Sequence, residues 1–379
     1  MTESNHYASL EPVRIGIVGA GNISGQYFEA LAKFAMTPIV AVADLDLNRA
    51  RAKAGDYGVE HALTVDELFA RDDIDLVVNL TIPAAHVEIC ERAIESGKHT
   101  HVEKPLALDR KSALRLKEKA DTKGLRVGCA PDTFLGAGLQ TARHIIDSGK
   151  LGDITAVTAF MVSRGHEHWH PDPDYYYQPG AGPMLDMGPY YLTALLNLLG
   201  PVDTISGMTS VAIPQRTITS DAKRGQTIDV NTPDHYCGTM RFSSGVVGSI
   251  IQTFAMRNAP AIQPFTIFGT DATMNVPDPN GFDEKVYLNF EGGDDQWHEQ
   301  PMSHATGHGR GIGVLDMAVA IRENRPHRCG FDQAMTVLDL MLGFDESSRS
   351  GSFHRVIDGY ERPAPMPAGG DFGNVDLTQ

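Results

Sequence analysis

The sequence predicts two domains of unlike architecture: an α/β domain with a doubly wound parallel sheet over residues 1–131, then an α+β domain over 132–379 with a mainly antiparallel sheet. Three observations predict it. The first third alternates short Val/Ile-rich runs with amphipathic helical stretches, and runs apolar on both faces belong to parallel strands covered by helices. After Pro131 the segments lengthen, alternate apolar with polar residues and are broken by turn signals, the pattern of antiparallel strands. The chain has 379 residues, 42% of them hydrophobic, which suffices for two cores.

"VRIGIVGA" reads as the first strand and "NISGQYFEALAKFA" as the helix after it. "PIVAVAD" is a strand and "LNRARAKAGDYG" a helix ending at glycine; "DIDLVVNL" is a strand and "AAHVEICERAIESG" a helix stopped by Gly97. "KHTHVEK" and "LRVGCAP" are strands separated by the helix "DRKSALRLKEKADTKG". Beyond Pro131 a helix near "GAGLQTARHIIDSG" precedes "DITAVTAFMVS", "CGTMRFSSGVVGSIIQTFAM", "AIQPFTIFGTDATMNV" and "KVYLNFEG", with turns at "SSG" and "GTDA". Two helices, "GIGVLDMAVAIRENR" and "FDQAMTVLDLMLGFDESSRSG", follow. Residues 1–12 are expected to be flexible, and the Pro/Gly-rich tail 362–379 irregular.

A formal net charge of −16 with no Lys/Arg block repels phosphate backbones and anionic lipid, so neither nucleic acid nor membrane is an expected partner. The start lacks the apolar core of a signal peptide, and runs such as "ALLNLLG" are too short to span a bilayer. Cys90, Cys129, Cys237 and Cys329 are scattered without a C-x-x-C pair, which fits free thiols in a reducing compartment. The expectation is a cytoplasmic protein.

"GIVGAGNISG" follows the first strand and opens the first helix, supplying Gly19 and Gly21 of a dinucleotide fingerprint. The first permits a tight turn; the second lets backbone approach a pyrophosphate at the helix N-terminus, with Asn22 and Ile23 alongside. Ser24 stands at the third position, small enough for close helix–strand packing; an ordinary turn is the alternative. The second strand ends in Asp44, where a carboxylate accepts hydrogen bonds from ribose hydroxyls and repels a 2′-phosphate, favouring NAD over NADP. Asp44 is otherwise a helix N-cap, a task Asp46 can take, and Arg49 leaves NADP open. The strand "KHTHVEK" runs into Glu103 and Lys104, at the strand end where such sheets bind ligands. An ammonium there donates to a hydroxyl or carbonyl oxygen and stabilises a developing alkoxide, unless the two are a surface ion pair.

The motifs "GIVGAGNIS", "VADLD", "TIPAAH", "GKHTHVEKPLAL", "GAGPMLDMGPYY", "TIFGTDATMNV" and "FDQAMTVLDLMLGFDESSRSG" together resemble the Gfo/Idh/MocA oxidoreductases, in family order and across nearly the whole chain. The resemblance implies a Rossmann domain followed by an α+β domain with an open-faced, mainly antiparallel sheet. It implies nicotinamide where the domains meet, and a homodimer or homotetramer formed through that sheet. It makes Lys104 catalytic or substrate-orienting, sets Glu103 beside the nicotinamide, and gives Thr81, Pro83 and His86 to the cofactor's nicotinamide side. Asp186 matches a catalytic, substrate-binding aspartate. Four residues on, where the family has its histidine base, this chain has Tyr190.

On a helix Asp186 and Tyr190 share a face. A tyrosine pKa near 10 is too high for a base at neutral pH, but an ammonium such as Lys104 lowers it. The alternatives are that Tyr190 only hydrogen-bonds substrate while a histidine of "RGHEHWHPDPDYYY" is the base, or that catalysis has been lost. In that stretch an extended chain points His166, His168 and His170 to one side, as metal ligands or as a pocket lip. Hydride transfer needs no metal, so none is expected. The lip reading has Trp169 stacking on a sugar ring and His166 and His168 binding its hydroxyls; the bland reading is a solvated loop. Arg164 and Arg310 are candidates to meet an anionic substituent.

The leading expectation is an NAD-dependent oxidoreductase acting on a secondary alcohol of a sugar, polyol or sugar derivative, its partner being that small molecule. The alternative is an NAD-dependent glycoside hydrolase working by transient oxidation at carbon 3, elimination, water addition and re-reduction. A non-catalytic sensor is the third, which has no use for Glu103, Lys104, Asp186 and Tyr190 together.

Overall fold

The computed structural model describes residues 10–259 and 261–368. Most of the expected flexible start and irregular tail, residues 1–9 and 369–379, lies outside them, while 362–368 carry no helix or strand. The chain divides into two compact units: residues 1–137, 303–335 and 363–379 form the first, 138–302 and 336–362 the second.

In the first unit, strands β1 (Ile15–Val18), β2 (Ile39–Ala43), β3 (His61–Leu63), β4 (Leu76–Asn79), β5 (His99–Val102) and β6 (Val127–Cys129) form one sheet in the order β3-β2-β1-β4-β5-β6. All five pairings are parallel, as the Val/Ile runs predict. The order reverses between β1 and β4, which opens a crevice at their carboxyl ends. The short β3 and the one-turn helix Val65–Phe69 were not anticipated; a Thr64/Glu67 capping box stabilises that helix. The sequence reading put the helix Ile312–Glu323 in the second domain. Instead its Val314, Met317 and Ala318 complete the core formed by Ile15, Ile17, Val78, Tyr27, Phe28 and Leu31. The segment after it pairs along β6, with Cys129 N–H donating to Cys329 O at 3.0 Å.

His101 on β5 is fully buried, and neither ring nitrogen has a hydrogen-bond partner. Burial lowers its pKa to about 3, and burial with the nearby Arg126 charge lowers that of His99 to about 4. Both folded values lie below the unfolded one near 6.5, so the unfolded chain takes up these protons first. Stability is therefore complete above about pH 6.5 and falls as the pH drops towards 4, by up to ~1.4 kcal/mol per unit for each histidine. We expect His101→Leu to flatten this slope in thermal melts from pH 7 to 4 without lowering the melting temperature at pH 7; an unchanged slope would contradict it.

The second unit holds a nine-stranded sheet in the order β16-β15-β14-β13-β7-β12-β11-β8-β17. Its strands are β7 (Ile154–Val162), β8 (Val202–Ser210), β11 (His235–Phe242), β12 (Val247–Thr253), β13 (Phe265–Gly269), β14 (Ala272–Val276), β15 (Tyr287–Phe290), β16 (His298–Glu299) and β17 (His354–Arg355). Only β7 and β12 pair in parallel. A separate hairpin pairs β9 (Gln215–Thr217) with β10 (Thr227–Asp229). Along β11, buried Tyr236, Met240 and Phe242 alternate with exposed Cys237, Thr239 and Arg241, so this strand has one packed and one open face. Among the described residues no helix is long and apolar enough to cross a membrane.

Candidate active site

In the first unit the glycine turn joins β1 to the helix Ser24–Leu31. Gly19 has φ +105°, and a Cβ there would sit 2.6 Å from the Leu80 carbonyl, so only glycine fits. A Cβ on Gly21 would meet nothing within 4 Å, leaving this backbone open to a ligand. Ile23, at the N-cap, offers no side-chain cap, and the first turn has no acidic residue. The positive end of the helix dipole thus faces that opening, the chemistry a pyrophosphate requires. Ser24 is buried and its hydroxyl donates to Gly21 O at 2.7 Å, so the serine at the third position stitches the turn.

Asp44 accepts from Ala20 N–H at 2.8 Å and from Asp46 N–H at 2.9 Å, which ties the end of β2 to the glycine turn. The N-cap task falls to Asp46, whose side chain accepts from Asn48 N–H. Arg49 lies 3.7 Å from Asp44. These residues fit a dinucleotide: the turn and helix end would hold its pyrophosphate, and Asp44 its ribose hydroxyls. We expect Asp44→Ser to shift the NAD/NADP affinity ratio towards NADP by at least about tenfold, ~1.4 kcal/mol. Fluorescence titration with both reduced cofactors measures it, and an unchanged ratio would count against a ribose role.

At the end of β4 the structure adds a residue that the sequence reading missed. Asn79, buried at the end of β4, accepts from the Thr81 hydroxyl at 2.7 Å and from Thr81 N–H at 3.2 Å, and donates to His86 O at 2.9 Å. Its signal was a polar residue closing the otherwise apolar "LVVN". His86 is fully buried, with Nδ1 2.7 Å from Pro105 O and Nε2 3.1 Å from Thr81 O. Burial lowers its pKa, so the ring is neutral and donates to one of the two carbonyls; the shorter contact assigns the proton to Nδ1. His86 thus ties its loop to the Pro105 carbonyl, with the Thr81 carbonyl beside its unprotonated Nε2. Pro83 opens the short 3-10 turn Pro83–Ala85 between them. Leu45 and Ile82, exposed at 99% and 70%, are large apolar side chains at the ends of β2 and β4, where planar rings could cover them.

Glu103 is buried, accepting from the Tyr27 hydroxyl at 2.8 Å and from Lys104 N–H at 2.9 Å. Burial, then the Glu103 charge, pushes the Tyr27 hydroxyl well above its usual range, so Tyr27 stays a donor. The surface Glu–Lys pair is therefore excluded for Glu103. Nearby, Asp132 accepts from Gly311 N–H at 2.7 Å and Gly313 N–H at 3.0 Å, fixing the backbone that follows Arg310. Burial raises the Asp132 pKa.

In the second unit the histidine-rich stretch is not extended. Trp169 and His170 N–H both donate to His166 O, which closes a turn, so His168 leaves the side on which His166 and His170 both pack against Tyr176. Gly165, Pro171 and Pro173 are what break the strand. His166 Nε2 lies 3.2 Å from Asp186 Oδ2, its ring edge-on to Tyr176 with centroids 3.9 Å apart. His170 Nδ1 accepts from Asp172 N–H, and His168 and Arg164 line a separate cleft. Trp169 is 56% exposed. Among the described residues no His/Cys/Asp/Glu group is arranged to hold a metal ion.

The turn rests on buried charge. Arg216, 1% exposed, donates to Glu167 at 3.0 Å, Asp234 at 2.7 Å and Phe254 O at 2.8 Å, and its guanidinium lies over the Tyr177 ring. The Tyr177 hydroxyl donates to Glu167 and accepts from His166 N–H. Gly165, φ +100°, sits against this network; a Cβ there would be 2.4 Å from Glu167 and from the Tyr177 hydroxyl.

Asp186 and Tyr190 do not share a continuous helix. The helix Pro183–Asp186 stops at Met187, and another begins at Gly188. Pro189 is the cause, because it cannot donate to Leu185 O. Tyr190 is 6% exposed, and His166 Nε2 lies 3.2 Å from Asp186.

Two family models match the chain: an oxidoreductase family with an NAD-binding Rossmann fold over residues 13–130, and a GFO/IDH/MocA C-terminal domain over 139–275. A dTDP-3,4-didehydro-2,6-dideoxy-alpha-D-glucose 3-reductase of Actinomadura kijaniata is 31% identical over 51% of this chain and 58% of its own. An inositol 2-dehydrogenase of Rhizobium meliloti is 37% identical over 38% of this chain and 44% of its own. The chain thus spans about half the length of the curated relatives it matches. An NAD binding oxidoreductase from Klebsiella pneumoniae shares the fold, with a TM-score of 0.79 at 20% identity over 92% of this chain and all of its own. With the glycine turn, the Glu103–Lys104–Pro105 end of β5 and the mainly antiparallel second sheet in their expected places, the chain belongs to the Gfo/Idh/MocA oxidoreductase family.

Proposed function

We propose that the protein transfers hydride between a secondary alcohol of a sugar, polyol or sugar derivative and NAD. The carrying observation is the contact of His166 Nε2 with Asp186 Oδ2 at 3.2 Å. It supports an imidazole base in place of Tyr190: with Nδ1 buried, His166 Nε2 takes the hydroxyl proton, and Asp186 beside it stabilises the imidazolium. NAD, when bound, supplies the hydride acceptor. In the first unit Lys104 is assigned to orient the reacting oxygen and stabilise its developing charge, with Glu103 holding the Lys104 backbone in place. Trp169 offers an exposed aromatic face to a sugar ring. The relatives named as a sugar 3-reductase and an inositol 2-dehydrogenase support this substrate class. The alternating open face of β11 supports self-association as a dimer or tetramer.

Purified protein with NAD and a panel of sugars, polyols and chromogenic glycosides tests the reading, with absorbance at 340 nm and aglycone release followed together. NADH formed in step with substrate, without aglycone release, is the expected result. NAD-dependent aglycone release without net NADH would replace it with redox-neutral glycoside hydrolysis.

A further inference from the structure

The second unit carries a cleft of about 600 Å³ whose lining includes Arg164, Glu167, His168, Gln215, Thr217 and Arg257. Neither Asp186 nor His166 lines it, so it is distinct from the proposed proton acceptor. Its chemistry follows from strand alternation. On β9, Gln215 and Thr217 are exposed while Arg216 between them turns inward. From behind, Arg216 pairs with both Glu167 and Asp234 and offsets one of their two charges. What remains on the cleft side is cationic. The Arg164 guanidinium has no hydrogen bond or ion pair among the described residues, and Arg257 reaches only Glu167, at 3.9 Å, a carboxylate already held by Arg216 and the Tyr177 hydroxyl. Burial, then the Arg164 charge, lowers the His168 pKa, so this ring is a neutral hydrogen-bonding group at pH 7.

One guanidinium without a counter-ion and a second in a loose 3.9 Å ion pair, beside a hydroxyl, an amide and an imidazole, are an unfilled anion site. The chain carries a net charge of −16, so most of its surface repels anions and a local cationic cleft selects where one binds. We infer that this cleft binds a phosphate or carboxylate group, with Arg164 and Arg257 as its charged walls. The volume admits either a free anion or one carried on a hexose. The inference does not depend on the hydride-transfer reading.

Calorimetric titration of the full-length protein at low salt, with inorganic phosphate, glucose 6-phosphate and glucose, tests it. Saturable phosphate binding is expected, weakened at least about tenfold by Arg164→Gln and by Arg257→Gln and lost in the double variant, with melting temperatures unchanged; any binding of glucose alone should be unaffected by the double variant. Glucose 6-phosphate binding about tenfold tighter than phosphate assigns the cleft to a sugar-borne anion, and equal affinity assigns it to the free ion. Absence of saturable binding overturns the inference. So does binding that the double variant retains, as it would if phosphate sat at the glycine turn of the first unit. NADH titration of the same samples checks the cofactor reading separately.

Discussion

His166→Gln is expected to lower kcat/KM by about 10²–10⁴-fold on the polyol or sugar that the substrate panel identifies, the usual loss when a positioned acid–base group is removed. Glutamine keeps much of the volume and can still donate to Asp186, but it cannot carry the transferred proton. The melting temperature should move little, which separates chemistry from folding. Tyr190→Phe, in contrast, should cost less than about tenfold, since a residue that only binds or packs contributes one hydrogen bond at most. Initial rates of NADH formation for the two variants decide between them. If the glutamine variant keeps more than a tenth of the activity while the phenylalanine variant loses it, the base is Tyr190 and the His166–Asp186 contact is only structural.

Arg216→Met is expected to destabilise the second unit by about 3–5 kcal/mol, because it strands two buried carboxylates, Glu167 and Asp234, whose side chains are 8% and 0% exposed. Both tryptophans, Trp169 and Trp297, belong to this unit, so their fluorescence during urea unfolding reports on it alone. Adding Glu167→Gln and Asp234→Asn to the variant should recover most of the loss, since the penalty comes from uncompensated charge more than from lost packing. An unchanged urea midpoint for Arg216→Met would mean that water reaches the network and that the turn is not anchored as described.

The sequence was most legible where one local pattern decides the outcome. The apolar runs "IGIV", "IVAVA" and "LVVN" can only be strands covered on both sides, and they form the parallel sheet. Gly19 and Gly21 sit where a strand–helix turn demands them, and Asp46 caps its helix as an acid two residues past a strand should. Reading failed where pairing is distant. Nothing near Arg216 signals that it meets Glu167, 49 positions earlier, or Asp234, 18 later. The apolar stripe of Ile312–Glu323 announced a buried helix but not which core would receive it. In two cases the signal was present and outweighed by a simpler pattern: Pro189 broke the helix assumed to join Asp186 to Tyr190, and Gly165 with Pro171 broke the strand assumed to align the three histidines.

The anchoring of the histidine-rich turn bears on how this protein can be altered. Residues 164–177 are anchored by Arg216, which reaches Glu167 from the β9–β10 hairpin and is itself braced by Asp234 just before β11. The unit of heredity for this lip is therefore discontinuous: a transplant of 164–177 alone into another scaffold would arrive with a buried glutamate and no cation to meet it. Recombination or directed evolution that keeps segments 164–177 and 212–234 together preserves the lip, whereas crossovers between them should yield chains that fold poorly before they can be screened for a new substrate.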